Sequence, residues 1–181
     1  IQGTIASEVA TLTIIQSAQE LPALDFQTVI GGAAIDSIGN VLLPTTDGML
    51  FAFDAGGSLQ WFFSVPSGDG RSMKTPVIGA DGSIYVTGNG FEHFYSLSNK
   101  GYLNWTFQTE GSIRNGPALA TDGRLYISSS DGQKGRLHAL SPDGNELWSV
   151  RLSGTTLANP VVTSRGEIVI GGGADVHNSF A

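Results

Sequence analysis

Apolar residues in this chain come in short runs, and the runs alternate with clusters of Gly, Asp, Asn and Ser. Runs such as VLLP (41–44), IYVT (84–87), LYIS (125–128) and IVIG (168–171) are too short for core helices and rich in β-branched and aromatic residues. They read as strands. Three of them follow a turn signal: ADGS (80–83), TDGR (121–124) and SRGE (164–167). Glycine in such a turn accepts a positive φ without steric cost, so each signal predicts a hairpin.

The pattern repeats. The hairpin glycines Gly39, Gly82, Gly123 and Gly166 are spaced by 43, 41 and 43 residues. Six residues before each stands Ala33, Pro76, Pro117 or Pro160. Trp61, Trp105 and Trp148 recur at 44 and 43, and four residues before each is Gly57, Gly101 or Gly144. Several columns sharing one period indicate repeated supersecondary units. Each unit predicts four strands. Strand A is PVIG, PALA or PVVT, and strand B is one of the runs above. Strand C is LFAFD, FYSLS or LHALS, and strand D holds the Trp in LQWFFSV, LNWTFQT or ELWSVRL. Four short antiparallel strands per period are one blade of a β-propeller.

The fold expected is therefore all-β: a β-propeller of about four four-stranded antiparallel blades, three complete and one truncated. The blades fall at about 30–67, 71–110, 111–153 and 154–181, within a region 21–181. Three and a half blades make a partial propeller. Three resolutions are open. The chain is part of a longer propeller, or it closes with another copy, or its N-terminal segment supplies a strand.

The combination of P-x-x-x-x-[DR]-G, L-x-A-[FL] and G-x-x-x-W resembles the quinoprotein-type propeller repeat. That repeat occurs in pyrroloquinoline-quinone dehydrogenases and in the outer-membrane assembly lipoprotein of the β-barrel machinery. The resemblance covers roughly residues 30–170. It implies that Trp61, Trp105 and Trp148 dock one blade against the next, and all three are expected to be buried there. Outside the repeat, GTIASEVATLTIIQ (3–16) alternates Ala10, Leu12 and Ile14 with Thr11 and Thr13. It is similar to the last strand of bacterial immunoglobulin-like domains. Residues 1–20 are thus expected to be a β-strand that covers a propeller edge, is donated to a neighbour, or ends a preceding domain.

Composition narrows the function. There are 25 Gly among 181 residues, about twice the usual share, and charged residues make up only 14%. Net charge is −7, with 16 acidic and 9 basic residues. No basic patch of the kind that neutralises phosphates is visible, so nucleic acid and anionic membranes are poor partners. No apolar run approaches a membrane span. Cysteine is absent. The chain starts at Ile1 rather than Met, and a processed or excised piece is expected.

The resemblance brings in quinone-dependent dehydrogenases, which in many members use a vicinal Cys pair, a Ca²⁺ and a catalytic Asp. No residue here matches those positions, so no catalytic, cofactor-binding or metal-binding residue is assigned. Asp69 and Asp131 read as turn residues. His138 shares a column with Phe51 and Tyr95 and reads as packing. His93 lacks a second ligand at metal spacing. Phe91 and Tyr102 are the aromatics expected to be exposed.

The A–B and C–D turns are tight in every unit and share one propeller face. The longer, variable B–C and D–A connections share the other, and variable loops on a rigid scaffold are where binding resides. The candidate binding face is therefore the one carrying Arg71, Lys74, Arg114 and Asn115. The function expected is a non-enzymatic binding or scaffold module of an extracytoplasmic protein (periplasmic, surface or secreted), presenting that face to a protein or glycan. The alternatives are a structural subunit that self-associates through open blade edges, and part of a quinone-dependent dehydrogenase.

Overall fold

A computed structural model describes residues 32–66, 72–155 and 158–171. The immunoglobulin-like N-terminal stretch, Asp69 and Arg71 lie outside the described residues.

Every described element is a strand. Blade 1 is a four-stranded antiparallel sheet of β1 (Ala34–Ile35), β2 (Val41–Pro44), β3 (Met49–Phe53) and β4 (Leu59–Ser64), in that order. Blade 2 contains β6 (Val77–Ile78), β7 (Ile84–Val86), β9 (Phe91–Leu97) and β10 (Leu103–Ile113). Beside it, β5 (Ser72–Met73) pairs with β8 (Gly88–Asn89). Blade 3 contains β11 (Ala118–Leu119), β12 (Leu125–Ser130), β13 (Gly135–Leu140) and β14 (Glu146–Arg151). Of blade 4, the described residues include β15 (Val161–Val162) and β16 (Ile168–Val169), the inner hairpin.

Why these runs form blades follows from their burial. The middle strands are sandwiched between neighbouring blades, so both of their faces must be apolar. Ile84, Tyr85 and Val86 of β7 are all buried, as are Leu125 to Ser129 of β12. The outermost strand has only one covered face, and β4 alternates half-buried with exposed residues along LQWFFS. One core cluster runs from Leu42 and Leu50 of blade 1 through Ile84, Phe94 and Ile113 to Leu125 and Leu140 of blade 3. A smaller cluster of Tyr126, Leu137 and Ala139 packs with Val162 and Ile168 of blade 4.

The turns obey one design. In the A–B turn of blade 2, Gly82 N donates to Gly79 O at 3.0 Å and Gly79 N to Ser83 O at 2.8 Å. The C–D turn of blade 3 repeats this, Gly144 N to Ser141 O and Ser141 N to Asn145 O. These are three-residue loops ending in a left-handed glycine, with φ of 83° at Gly82 and 82° at Gly144.

Blades are docked by indole rings. Trp61 Nε1 donates to Asn99 O at 3.0 Å, and Trp105 Nε1 donates to Pro142 O at 2.9 Å. Each acceptor lies two residues before the C–D glycine of the next blade, and the ring lies on that glycine. A Cβ at Gly101 would come 2.5 Å from the Trp61 ring, and one at Gly144 would come 2.5 Å from the Trp105 ring. Trp105 also packs edge-on against Phe94 at 5.5 Å. Both rings are half-buried. Trp148 differs from the burial expected of it: it packs on Tyr126 at 5.9 Å and is 38% exposed. Phe91 corrects a second expectation. It is fully buried, closing on Gly88 and Tyr95 inside blade 2, whereas Tyr102 is 71% exposed.

Candidate binding face

The two propeller faces are built differently. On the tight-turn face, side chains cap their own hairpins. Asp36 Oδ1 accepts from Ile38 N and Asn40 N, and Asp54 Oδ1 accepts from Gly56 N and Ser58 N. Asp122 pairs with Arg124 within its turn, and both are exposed. A shallow cleft of about 180 Å³ lies on this face between the A–B turns of blades 3 and 4, lined by Tyr126, Asp122, Arg124 and Val162.

On the loop face, loops also cap themselves, as Thr45 Oγ1 does by accepting from Met49 N at 3.0 Å, and polar groups join segments both within and between blades. Met73 N donates to Thr45 O at 3.0 Å, and Lys74 N donates to Thr87 O at 2.8 Å. Thr87 Oγ1 donates to Asn115 O at 2.7 Å, and Asn115 Nδ2 to Ser128 Oγ at 2.6 Å. Gly116 N donates to Asn159 Oδ1 at 2.8 Å, linking blade 3 to blade 4. Lys74 is half-buried and Arg114 exposed, each in the segment that enters its blade's first strand. Asn115 is 2% exposed and belongs to the joint between blades 2 and 3. Its Oδ1 is buried without a hydrogen-bond partner.

The same face carries a small cleft of about 40 Å³ between the end of β10 and the β12–β13 loop. Lys134, Arg136 and Arg151 line it with Glu110, Asp131 and Ser130. Arg136 is held on both sides: Nη1 donates to Ser149 Oγ at 3.1 Å, and Nη2 lies 3.0 Å from Glu110 Oε2. Asp131 Oδ1 accepts from Gln133 N at 2.8 Å and Lys134 N at 2.7 Å. Those backbone donors hold its carboxyl below the usual carboxylate range.

Behind the cleft is a relay that the linear sequence hides. Ser129 Oγ lies 3.0 Å from His138 Nε2, and His138 Nδ1 lies 2.8 Å from Glu146 Oε1. The imidazole is 3% exposed and packs edge-on against Phe107. Burial pushes its pKa below the ordinary histidine value, against the raising effect of Glu146. The neutral ring therefore donates from Nδ1 and accepts from the serine hydroxyl. The order is that of a nucleophilic triad, but its setting is not. Ser129 sits in a strand paired on both edges, with Ile113 of β10 and Arg136 of β13. The relay instead ties β12, β13 and β14 together. Its sequence signal was slight: a histidine in a column otherwise filled by Phe51 and Tyr95, with serines in the adjacent strand.

Among the described residues no three His, Asp or Glu side chains converge as a metal site. Of the inner polar groups, Thr87 Oγ1, Asn115 Nδ2 and Ser128 Oγ are committed to hydrogen bonds, and Asn115 Oδ1 alone of that group lacks a partner. These residues do not fit a quinone with Ca²⁺, which wants several converging oxygen ligands. No described helix is long and apolar enough to cross a membrane.

A family model described as outer membrane protein assembly factor BamB matches residues 95–176. Its repeats resemble those of the quinoprotein-like propellers. Among solved structures, this propeller is similar to BamB from Moraxella catarrhalis, at 26% identity and TM-score 0.57. That match covers 74% of this chain and 44% of the other. A streptogramin B lyase matches at 18% identity and TM-score 0.62, over 76% of this chain and 46% of the other. A quinohemoprotein alcohol dehydrogenase from Pseudomonas putida HK5 matches at 18% identity and TM-score 0.57, over 70% of this chain and 20% of the other. The last two share the fold alone. The chain spans less than half the length of each of these three structures. A comparison with curated proteins finds no match.

Proposed function

We propose that this quinoprotein-like propeller is a non-enzymatic binding module of an extracytoplasmic protein, and that it holds a protein segment on its loop face. The asymmetry of the two faces carries the reading. On one face the turns are short and capped by their own side chains. On the other the B–C connections differ in every blade: PTTDGM (44–49), TGNGFEH (87–93) and SSSDGQKGR (128–136). Three of the nine basic residues gather at the last of these. The likeness to BamB, a protein described as an outer membrane protein assembly factor, supports both a protein partner and a location outside the cytoplasm.

The test is selection of binders from a random dodecapeptide display library. Lys74→Glu with Arg114→Glu is expected to weaken the selected peptides by about tenfold or more, since loop-face charges then repel what they attracted. Arg165→Glu, in the A–B turn of blade 4 on the opposite face, is expected to leave them bound. Peptides that ignore the first change or respond to the second would overturn the reading.

A further inference from the structure

The geometry points to a carboxylate-recognition subsite in the cleft between β10 and the β12–β13 loop, built to take an acidic side chain of a protein segment. This rests on the loop-face reading above and names the chemistry of the partner.

The charge distribution is the first observation. The chain carries −7 overall, yet Lys134, Arg136 and Arg151 face Glu110 and Asp131 here, three cations against two carboxylates. A net positive cleft in an acidic protein concentrates anions locally. The second observation is how the two carboxylates are already used. Asp131 is turned onto the backbone N–H groups of its own loop, and Glu110 is paired with Arg136. Among the described residues neither carboxylate forms a close ion pair with Lys134 or Arg151; Arg151 acts on Asp131 only through its longer-range charge. Both of those residues are exposed, on the B–C loop and at the end of β14. They can close on an incoming oxygen from two sides.

Pre-organisation is the third. Arg136, 23% exposed at its side chain, is fixed by Ser149 and Glu110, so its rotamers are already restricted. Ser130 Oγ accepts from Gly132 N at 3.1 Å, which leaves its hydroxyl proton to donate. The size agrees as well. About 40 Å³ admits more than one water-sized group, enough for a carboxylate and too little for a sugar ring. No aromatic ring lines the cleft to stack on a sugar.

The experiment is a ¹⁵N NMR titration of the whole chain with acetyl-Gly-Asp-Gly-Asp-Gly-amide and with its Asn counterpart. Saturable shifts are expected at Gly111, Ser130 to Arg136 and Arg151 with the Asp peptide. Binding should be at least about tenfold weaker with the Asn peptide, as for loss of charge-assisted hydrogen bonds. Lys134→Gln with Arg151→Gln, both surface changes, should weaken the Asp peptide similarly, and added salt should weaken it further. Equal shifts with the Asn peptide, shifts scattered over all cations, or titration unchanged in the double variant would each overturn the proposal. So would inorganic phosphate saturating the cleft where the Asp peptide does not. If library peptides still depend on Lys74 and Arg114 while the Asp peptide fails, the carboxylate subsite falls and the loop-face reading stands.

Discussion

At Gly144 two separate demands meet. Its φ of 82° lies in the left-handed region, and the Trp105 ring occupies the space a Cβ would need. Gly39 meets only the first demand: φ is 90° and nothing lies within 4 Å of its would-be Cβ. Gly39→Ala is thus expected to cost about 1–2 kcal/mol, the ordinary left-handed penalty. Gly144→Ala adds overpacking of about 1–3 kcal/mol. Urea unfolding of the two variants should show that difference, and equal losses would remove the ring from the glycine. The glycine columns and their turns were legible because a positive φ leaves a local signature. The ring's seat on the next blade became legible only through the repeat, since Trp105 and Pro142 are 37 residues apart. His138 gives a second residue-scale expectation. Its folded pKa is below the ordinary 6.5, so the unfolded chain takes the proton more readily. The stability it contributes is present above that value and is lost as pH falls through it. Glu146, lowered from 4.5 by the hydrogen bond from His138, acts in the same direction further down. Unfolding midpoints should therefore drop as pH falls below about 6.5. His138→Phe should flatten the upper part of that drop, and an unchanged slope would mean that the imidazole is not the group responsible.

Among elements, β10 does the most joining. The repeat predicted that blade 2 ends near residue 110, yet β10 continues to Ile113. Its last residues pair with β12, Ser112 opposite Ser130 and Ile113 opposite Ser129, merging blades 2 and 3 into one sheet. Nothing in the local pattern of LNWTFQTEGSI announces this, because the second partner arrives from the next blade. Gly111 makes the approach possible. A Cβ there would stand 2.6 Å from Ser130 C and O, which are backbone atoms and cannot step aside. Gly111→Ala should cost about 1–3 kcal/mol by overpacking. It should also speed amide exchange at Ser129 and Ser130. A stable variant with unaltered exchange would contradict the role given to this seam. The burial of Phe91 was misread for a related reason. Phe91 lies just beyond β8, whose pairing with β5 brings Gly88 onto the ring.

Over the whole molecule, the propeller class was readable because one period governs every column. The binding face was readable only as an inventory of variable connections. Which of those connections converge depends on the blades being docked. Lys134 and Arg136 are two residues apart at the start of β13, the β13–β14 pairing sets Arg151 opposite Arg136, and the docking of blade 2 adds Glu110 to the same cleft. Asn115, by contrast, was read as a loop-face residue and is enclosed between blades 2 and 3. The proposed working surface of this scaffold is its loop face. The most direct measurement is a hydrogen-exchange footprint of a library-selected peptide on the wild-type chain. Slowed exchange is expected across 87–93 and 128–136, with 79–83 and 120–124 unchanged. Protection confined to those tight turns, with the loops unaffected, would contradict it.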